Sequence, residues 1–189
     1  MQSYEYYKNE LEKILSPKRF NHSVNVSLMA EKLAKNYGVD SEKAKLAGLL
    51  HDICKEKPDE ENIELSKKNG YFAYSDKINS IKILHGPAAS FFLKEKYGIT
   101  DNEILNAVKY HTTGRKNMTL FEKIIFVADH ISEERQWPDV KELQKLAFED
   151  INKVVLKKLS TAIQNCIDRH QCICENTMQL YNELILEGV

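Results

Sequence analysis

The sequence is poor in residues that interrupt helices, and it has no long apolar run. Only seven glycines and four prolines occur among 189 residues. No apolar run reaches the roughly 18 residues that a transmembrane helix requires. No segment alternates apolar and polar residues over the length of a strand. We therefore expect an all-α, single-domain helical bundle with no significant sheet and no membrane span.

The chain also lacks an excess of charge of either sign. The 27 Lys and Arg residues face 28 Asp and Glu residues, which gives a net charge of −1. This balance argues against a nucleic acid polymer as partner, but it leaves room for a small cationic pocket that binds a phosphorylated small molecule. The first residues are charged and amphipathic and contain no signal-peptide core, so we expect a cytoplasmic location.

Cysteines are too few to predict a disulfide framework. On a helix, the last two would point roughly 200° apart, which is poor geometry for a metal. We expect buried free thiols in a reducing compartment at Cys54, Cys166, Cys172 and Cys174. The sequence also lacks a P-loop and a GxSxG nucleophile elbow, so neither type of site is predicted.

Apolar residues at helical spacing predict a succession of helices. Their expected bounds are 3–15, 19–37, 42–53, 59–70, 87–97, 102–111, 120–132, 139–147 and 150–186, with a break near 168–174. The segments 71–84 and 112–118 are predicted loops. Helix ends are marked by expected N-caps at Ser41, Asp101 and Thr119, by a capping box that Glu122 completes, by Pro87 in a first turn, and by glycine caps at Gly38, Gly70 and Gly98.

Two carboxylates lie at the ends of apolar segments. Asp129 occurs in TLFEKIIFVADHI, and Asp52 follows His51 in AKLAGLLHDI. A carboxylate in such surroundings loses its hydration, and that loss is costly unless a cation or strong hydrogen-bond donors replace the water. A structural aspartate paired with an arginine or a helix cap is the alternative reading. Imidazole with carboxylate suits Fe, Mn, Zn, Co or Ni more than Mg or Ca.

Three more histidines have comparable settings. His22 lies on an amphipathic helix, His85 precedes Gly86, and His111 ends a predicted helix. Each by itself reads as an ordinary, partly buried side chain. Together with His51 and the two carboxylates, however, they form a set that several helices could direct into one cavity, as helical bundles do when they build dinuclear sites.

The order H…HD…H…H…D resembles the HD-domain metal-dependent phosphohydrolases. The strings RFNHSVNVSLMAEKLA, AGLLHDICK, LHGPAASFFL and AVKYHTTGRKNMTLFEKIIFVADHI resemble the bacterial YqeK family over residues 15–170. This resemblance implies a symmetrical diadenosine tetraphosphate hydrolase with a dinuclear iron centre, in which a metal-bridging hydroxide attacks phosphorus and yields two ADP. It also implies one domain over 1–189, with the motifs in about 15–135 and the helices of about 139–186 packed on them.

The resemblance further implies which residues hold the metals. His22, His51, Asp52 and Asp129 would hold the first metal, and Asp52 would bridge to a second that His85 and His111 complete. One departure is visible: the family often has proline after the acidic residue of ADxIEPxR, whereas this chain reads ADHISEER. His130 takes a variable position there and is not expected to be a ligand.

Several basic residues stand beside these ligand positions. We expect Asp52, Lys55 and Arg115 to be catalytic. Solvated surface charge is the ordinary reading of a lysine or arginine, but proximity to ligands suggests a clamp on the tetraphosphate. The expected phosphate contacts are Arg19, Lys55, Arg115 and Arg135, with neutral donors at Thr112, Thr113 and Gly114. An adenine pocket near 168–176 competes with plain core packing there.

Three alternatives remain open at this point. The same metals could serve a phosphatase for nucleotides or small phosphomonoesters. A nucleotide-binding regulator could retain the site without turnover, and a helical interaction module would bind no metal. The ligand types leave Fe, Mn, Co and Zn open. A long amphipathic C-terminal helix is compatible with a homodimer but does not predict one.

Overall fold

The regular structure is entirely helical, in a computed structural model that describes residues 2–71 and 81–189. This confirms the all-α prediction for the described residues. Their ten helices are α1 (Tyr4–Ile14), α2 (Pro17–Tyr37), α3 (Ser41–Leu50), α4 (Asp59–Lys68), α5 (Ile81–Tyr97), α6 (Asn102–Tyr110), α7 (Leu120–Ile131), α8 (Val140–Glu149), α9 (Ile151–Asp168) and α10 (Glu175–Leu186). Among them, none combines the length and the apolarity that crossing a membrane requires.

Capping residues set most of the helix ends as expected. Thr119 accepts a hydrogen bond from the backbone N–H of Glu122, whose side chain bonds back to complete the capping box of α7. Asp101 caps α6 through its carboxylate, which accepts hydrogen bonds from the backbone N–H groups of Glu103 and Ile104. The prediction for α3 is wrong by one residue, because Asp40 is the cap and its carboxylate accepts from the backbone N–H of Lys43. Left-handed backbone ends α2 at Gly38, where φ is 68°.

Helix α5 begins earlier than predicted. Residues 81–84 are helical, and Pro87 lies inside the helix instead of in its first turn. Two side chains of the neighbouring segment supply donors there: Ser66 Oγ to the Leu84 carbonyl and Asn69 Nδ2 to the Pro87 carbonyl, each at 2.8 Å. These bonds join α4 and its C-cap residue to the part of α5 around Pro87, whose ring nitrogen has no hydrogen to donate within the helix. The rest of the predicted loop at 71–84 lies largely outside the described residues.

The expectation for the cysteines is only partly right. Cys54 is buried, as expected of a free thiol in a core. Cys172 is exposed, and Cys166 and Cys174 are half-buried, so burial was wrongly expected for these three. Cys172 and Cys174 lie in the non-helical connector between α9 and α10. A helical geometry was therefore the wrong premise for this pair.

Helix α7 forms the centre of the packing. It contacts α2, α3, α6, α8 and α9. Its residues from Ile124 to Ala128 are all at most 1% exposed, which is the pattern of a helix surrounded by others. The polar residue that follows, Asp129, is thereby carried into the interior at the carboxyl end of α7.

A glycine permits the close crossing of α2 and α3. A Cβ atom added to Gly48 would lie 2.9 Å from Ser27 Cα and 3.1 Å from the Val26 carbonyl oxygen, both of which are backbone atoms. Backbone cannot yield as a flexible side chain can. The two helices therefore approach as closely as they do only with glycine at this position.

Gly48→Ala is expected to lower the free energy of unfolding by about 1–3 kcal/mol through overpacking. This loss opposes the gain of about 1 kcal/mol that alanine brings to an exposed helix position. Thermal denaturation measures the change. Glu42→Ala, on the exposed side of α3, is the control and should stay within about 0.5 kcal/mol of the parent. A melting temperature unchanged or raised by Gly48→Ala would contradict the close crossing.

Candidate metal centre

Four histidines and two aspartates meet in the interior, as the sequence predicts. His22 projects from α2 and His85 from α5, while His51 and His111 are the C-cap residues of α3 and α6. Each of these four histidine residues is at most 5% exposed. The two carboxylates are Asp52, which is 2% exposed, and Asp129, whose side chain is 16% exposed.

One half of the cluster is built around a single oxygen of each carboxylate. His22 Nε2 lies 3.2 Å from Asp129 Oδ1 and 3.7 Å from Asp52 Oδ2. His51 Nε2 lies 3.3 Å from the same Asp52 oxygen and 3.8 Å from Asp129 Oδ1. Four potential ligand atoms therefore face one small volume.

The other half is built around the second oxygen of Asp52. His85 Nε2 lies 3.0 Å from Asp52 Oδ1, and His111 Nε2 lies 3.5 Å from it. The two imidazole nitrogens are 3.0 Å apart. The Asp52 carboxylate thus spans two groups of nitrogen ligands, with one oxygen turned to each.

Backbone carbonyls orient three of the imidazoles. The Nδ1 atoms of His51, His85 and His111 each lie 2.7 Å from the carbonyl oxygen three residues earlier in the chain. A carbonyl only accepts, so Nδ1 carries the proton and donates it. This leaves the lone pair of Nε2 directed into the cluster, as is usual for metal-binding histidines.

The fourth imidazole, that of His22, is oriented by a carboxylate instead of a backbone carbonyl: its Nδ1 pairs with Glu134 Oε1. The sequence alone did not single out Glu134, although it directly precedes Arg135 in the SEER segment. A second close approach brings α5 to α6: a Cβ atom on Gly86 would lie 2.7 Å from the Lys109 carbonyl oxygen.

The chemistry of the donor set fits a divalent metal. His51 Nε2 and Asp52 Oδ1 are buried and have no hydrogen-bond partner within the described protein. Two such acceptors facing the same interior are costly unless a cation receives their lone pairs. His22, His51 and Asp129 form one group with metal-binding spacing, and His51, Asp52 and His111 form another.

The protonation states favour the same interpretation. Burial raises the pKa of Asp52, but the surrounding imidazoles of His51, His111 and His85 outweigh it and hold that pKa well below its usual range. Burial lowers the pKa of His111 to about 4 and also lowers that of His85. At neutral pH these three residues are an anion and two neutral imidazoles, which are the forms that bind metal.

Two cations hold Asp129 from outside the cluster. Arg135 Nη2 donates to Asp129 Oδ1 at 2.8 Å, and Lys158 Nζ lies 3.2 Å from Oδ2. Burial raises the pKa of Asp129, but the charge of Lys158 and the pairing with His22 outweigh it and hold that pKa well below its usual range. The sequence alone did not indicate Lys158, because this residue belongs to α9, far along the chain, and nothing in its local sequence marks it.

The predicted phosphate contacts divide into two groups. Three of the cations touch the cluster: Arg19 Nη1 donates to Asp52 Oδ2 at 2.7 Å, Lys55 Nζ lies 3.3 Å from His85 Nε2, and Arg135 holds Asp129. Arg115 has other partners. Its guanidinium donates to the buried carboxylate of Glu122 at 2.7 and 3.2 Å.

The residues directly after His111, which are Thr112, Thr113 and Gly114, are buried or half-buried. Thr113 donates from Oγ1 to the Gly114 carbonyl at 2.9 Å, and its own carbonyl accepts from Thr177 Oγ1. The Thr112 hydroxyl is buried and has no partner within the described residues. His130 forms no part of the described metal-binding groups and stacks on Trp137, with ring centroids 6.1 Å apart.

Comparison with known proteins places this cluster in a family. The HD domain matches residues 19–134 of the chain. The symmetrical bis(5'-nucleosyl)-tetraphosphatase of Halalkalibacterium halodurans is 37% identical over 178 residues, which is 92% of each chain. The enzyme of the same name from Bacillus subtilis is 34% identical over 171 residues, which is 90% of this chain and 91% of the other.

A solved structure agrees in fold. The crystal structure of a predicted HD superfamily hydrolase involved in NAD metabolism, from Clostridium acetobutylicum, superimposes with a TM-score of 0.93 and 41% sequence identity. The match covers 99% of both chains. The chain therefore belongs to the HD-domain family, in the group that contains the symmetrical bis(5'-nucleosyl)-tetraphosphatases.

Proposed function

We propose that this protein is a metal-dependent hydrolase that cleaves diadenosine tetraphosphate symmetrically into two ADP. The observation that carries the proposal is the division of the Asp52 carboxylate, which turns one oxygen to His22 and His51 and the other to His85 and His111. Such a carboxylate suits a dinuclear centre. The names of the relatives from H. halodurans and B. subtilis support the substrate.

In this proposal the first metal is held by His22, His51, Asp52 and Asp129, and the second by Asp52, His85 and His111. Iron is the proposed metal, with Mn, Co or Zn as alternatives that the same ligand types accept. A metal pair bound there would lower the pKa of a bound water molecule and withdraw negative charge from the phosphoryl oxygens.

The surrounding cations bind and orient the tetraphosphate. Arg19 and Arg135 each hold a ligand carboxylate, yet their side chains are 26% and 25% exposed and can donate to a phosphoryl oxygen as well. Lys55, beside His85, is the group that can donate to the departing phosphate. Water adds to one central phosphorus, the central bridging P–O bond breaks, and the oxygen released belongs to the second ADP.

The role of Arg115 in phosphate binding is also part of the proposal, with neutral donors from Thr112, Thr113 and the Gly114 backbone. Thr112 supports it, since its buried hydroxyl has no partner among the described residues. Arg115 lies four residues after His111, and its side chain is 27% exposed. Arg115 also forms an ion pair with Glu122, so it has a possible structural role that experiment can separate from phosphate binding.

Asp52→Ala is expected to abolish hydrolysis and to reduce bound metal from about two equivalents, because both half-sites share this carboxylate. Metal analysis after anaerobic purification and release of ADP from diadenosine tetraphosphate measure the two effects. Glu64→Ala, which removes an exposed carboxylate on α4, is the control. A fully metallated, active Asp52→Ala variant would show that the bridging assignment is wrong.

The substrate is tested separately with the parent protein. Diadenosine tetraphosphate should be turned over faster than dAMP or ADP. Faster release of phosphate from either mononucleotide would assign the protein to the phosphatase alternative. Tight ADP binding without turnover, with Fe, Mn and Co each supplied, would assign it to the regulator alternative.

Arg115→Ala is expected to raise KM for diadenosine tetraphosphate about tenfold, the effect of losing one charge-assisted hydrogen bond, with bound metal unchanged. Lys116→Ala, which removes the neighbouring exposed cation, is the control. Steady-state kinetics and thermal denaturation are measured on both variants. A lower melting temperature with an unchanged KM would assign Arg115 to its ion pair with Glu122 alone.

A further inference from the structure

An open cleft adjoins the second half of the metal centre. Its volume is about 590 Å³, and its lining includes Lys55, His85, Lys82, Arg169 and Gln171. His85 is buried and Lys55 half-buried, whereas Lys82 and Arg169 are exposed, so the cleft runs from the cluster to the surface. Sites for small molecules typically have volumes of roughly 300–1,000 Å³.

Positive charge exceeds negative charge among the described residues that line the cleft. There, the three cations Lys55, Lys82 and Arg169 accompany one carboxylate, that of Asp59. They come from three separate parts of the fold: the turn after α3, the first turn of α5 and the C-cap of α9. Among the described residues, neither Lys82 nor Arg169 forms an ion pair. An anionic ligand with several charges along its length matches this arrangement.

We propose that this cleft binds one ADP unit of the dinucleotide, with Lys82 and Arg169 as phosphate-binding residues. The inference rests on the proposed function, because cleavage at the central bond requires an ADP arm on each side of the metal centre. Lys55 marks the inner end of this arm, where its ammonium lies 3.3 Å from His85 Nε2. The two outer cations then bind the phosphate that lies nearer the ribose.

This arrangement predicts a preference for diadenosine tetraphosphate and ADP over nucleoside monophosphates. A nucleoside monophosphate whose single phosphate occupies the metal centre has no further phosphate to place between Lys82 and Arg169. Arg169 and Gln171 lie outside residues 19–134, which match the HD domain. Part of the lining that selects the substrate therefore comes from outside the HD-domain match, whereas Lys55 and Lys82 lie within it.

The double variant Lys82→Ala/Arg169→Ala tests the cleft. We expect KM for diadenosine tetraphosphate and Kd for ADP to rise about tenfold or more, as expected for the loss of charge-assisted hydrogen bonds. The value of kcat should stay within about twofold and bound metal should be unchanged, because neither residue is a ligand in the proposed centre. The control is Lys68→Ala/Lys153→Ala, which removes the same charge from exposed sites that do not line the cleft.

The two readouts separate this inference from the proposed function. Calorimetric titration with ADP reports on the cleft whether or not diadenosine tetraphosphate is hydrolysed. If the parent does not cleave diadenosine tetraphosphate but the double variant binds ADP more weakly than the parent does, the cleft assignment is supported and the proposed substrate is refuted. Unchanged ADP affinity and unchanged KM in the double variant would overturn the cleft assignment.

A second inference concerns Lys158, which reaches the cluster from α9. Its side chain is 13% exposed, and its ammonium contacts the Phe126 carbonyl at 2.8 Å, Asp129 Oδ2 at 3.2 Å and the His111 carbonyl at 3.3 Å. These acceptors belong to α7 and to the end of α6, two of the segments that carry the cluster. One cation thus joins three elements at the metal centre.

We infer that Lys158 is a positioning residue for Asp129. By engaging Oδ2, it leaves Oδ1 as the oxygen directed at His22 and His51. A carboxylate held in this way keeps a fixed direction and would offer one oxygen to a bound metal. Groups that orient ligands typically change metal affinity by about 10- to 100-fold when they are removed.

Lys158→Met is expected to weaken one of two Co²⁺ sites about 10- to 100-fold in apo-protein and to leave the other unchanged. Calorimetry gives both affinities, and the Co²⁺ absorption spectrum reports the geometry of each site. Lys157→Met, which changes the exposed neighbouring lysine, is the control. If the methionine variant does not fold, Lys158→Gln retains a donor for the Phe126 carbonyl and should weaken the same site. Wild-type affinity at both sites in a folded variant, or equal loss at both, would overturn the inference.

Discussion

The burial of two carboxylates among four imidazoles is the constraint around which this molecule is organised. Removing a carboxylate from water is costly, and the cost is offset only by cations or donors at close range. Asp52 meets this requirement with Arg19 and the imidazoles, and Asp129 meets it with Arg135 and Lys158. Even so, Asp52 Oδ1 and His51 Nε2 have no hydrogen-bond partner among the described residues, which a bound cation would explain.

The helical scaffold directs these groups inward through its helix ends. Cap positions place His51 and His111 where the chain leaves a helix, and there the imidazole can turn back to a carbonyl of the last turn. That bond fixes which nitrogen is protonated, and it converts an ordinary terminal residue into an oriented ligand. Two glycines permit the close helix approaches that this arrangement needs, Gly48 between α2 and α3 and Gly86 between α5 and α6.

The C-terminal helices contribute more than packing. Lys158 reaches Asp129 from α9, and Arg169 and Gln171 line the cleft beside His85. These residues lie beyond the stretch that matches the HD domain. The six clustered side chains thus lie within the HD-domain match, whereas these supporting and cleft-lining residues lie outside it. Such a division is expected when one fold serves several substrates through residues outside the shared site.

The sequence by itself determined the helical class, most of the helix caps and the identity of the six clustered side chains. The class follows from local periodicity and the caps from local capping chemistry. The six side chains follow from the order of the motifs along the chain. Only the tertiary structure decided which oxygen of Asp52 faces which imidazoles, that Glu134 and Lys158 support the cluster, that Arg115 pairs with Glu122, and that α5 begins before Pro87. Each of these depends on contacts between residues far apart in the chain, where hydrogen bonding and burial override local preference.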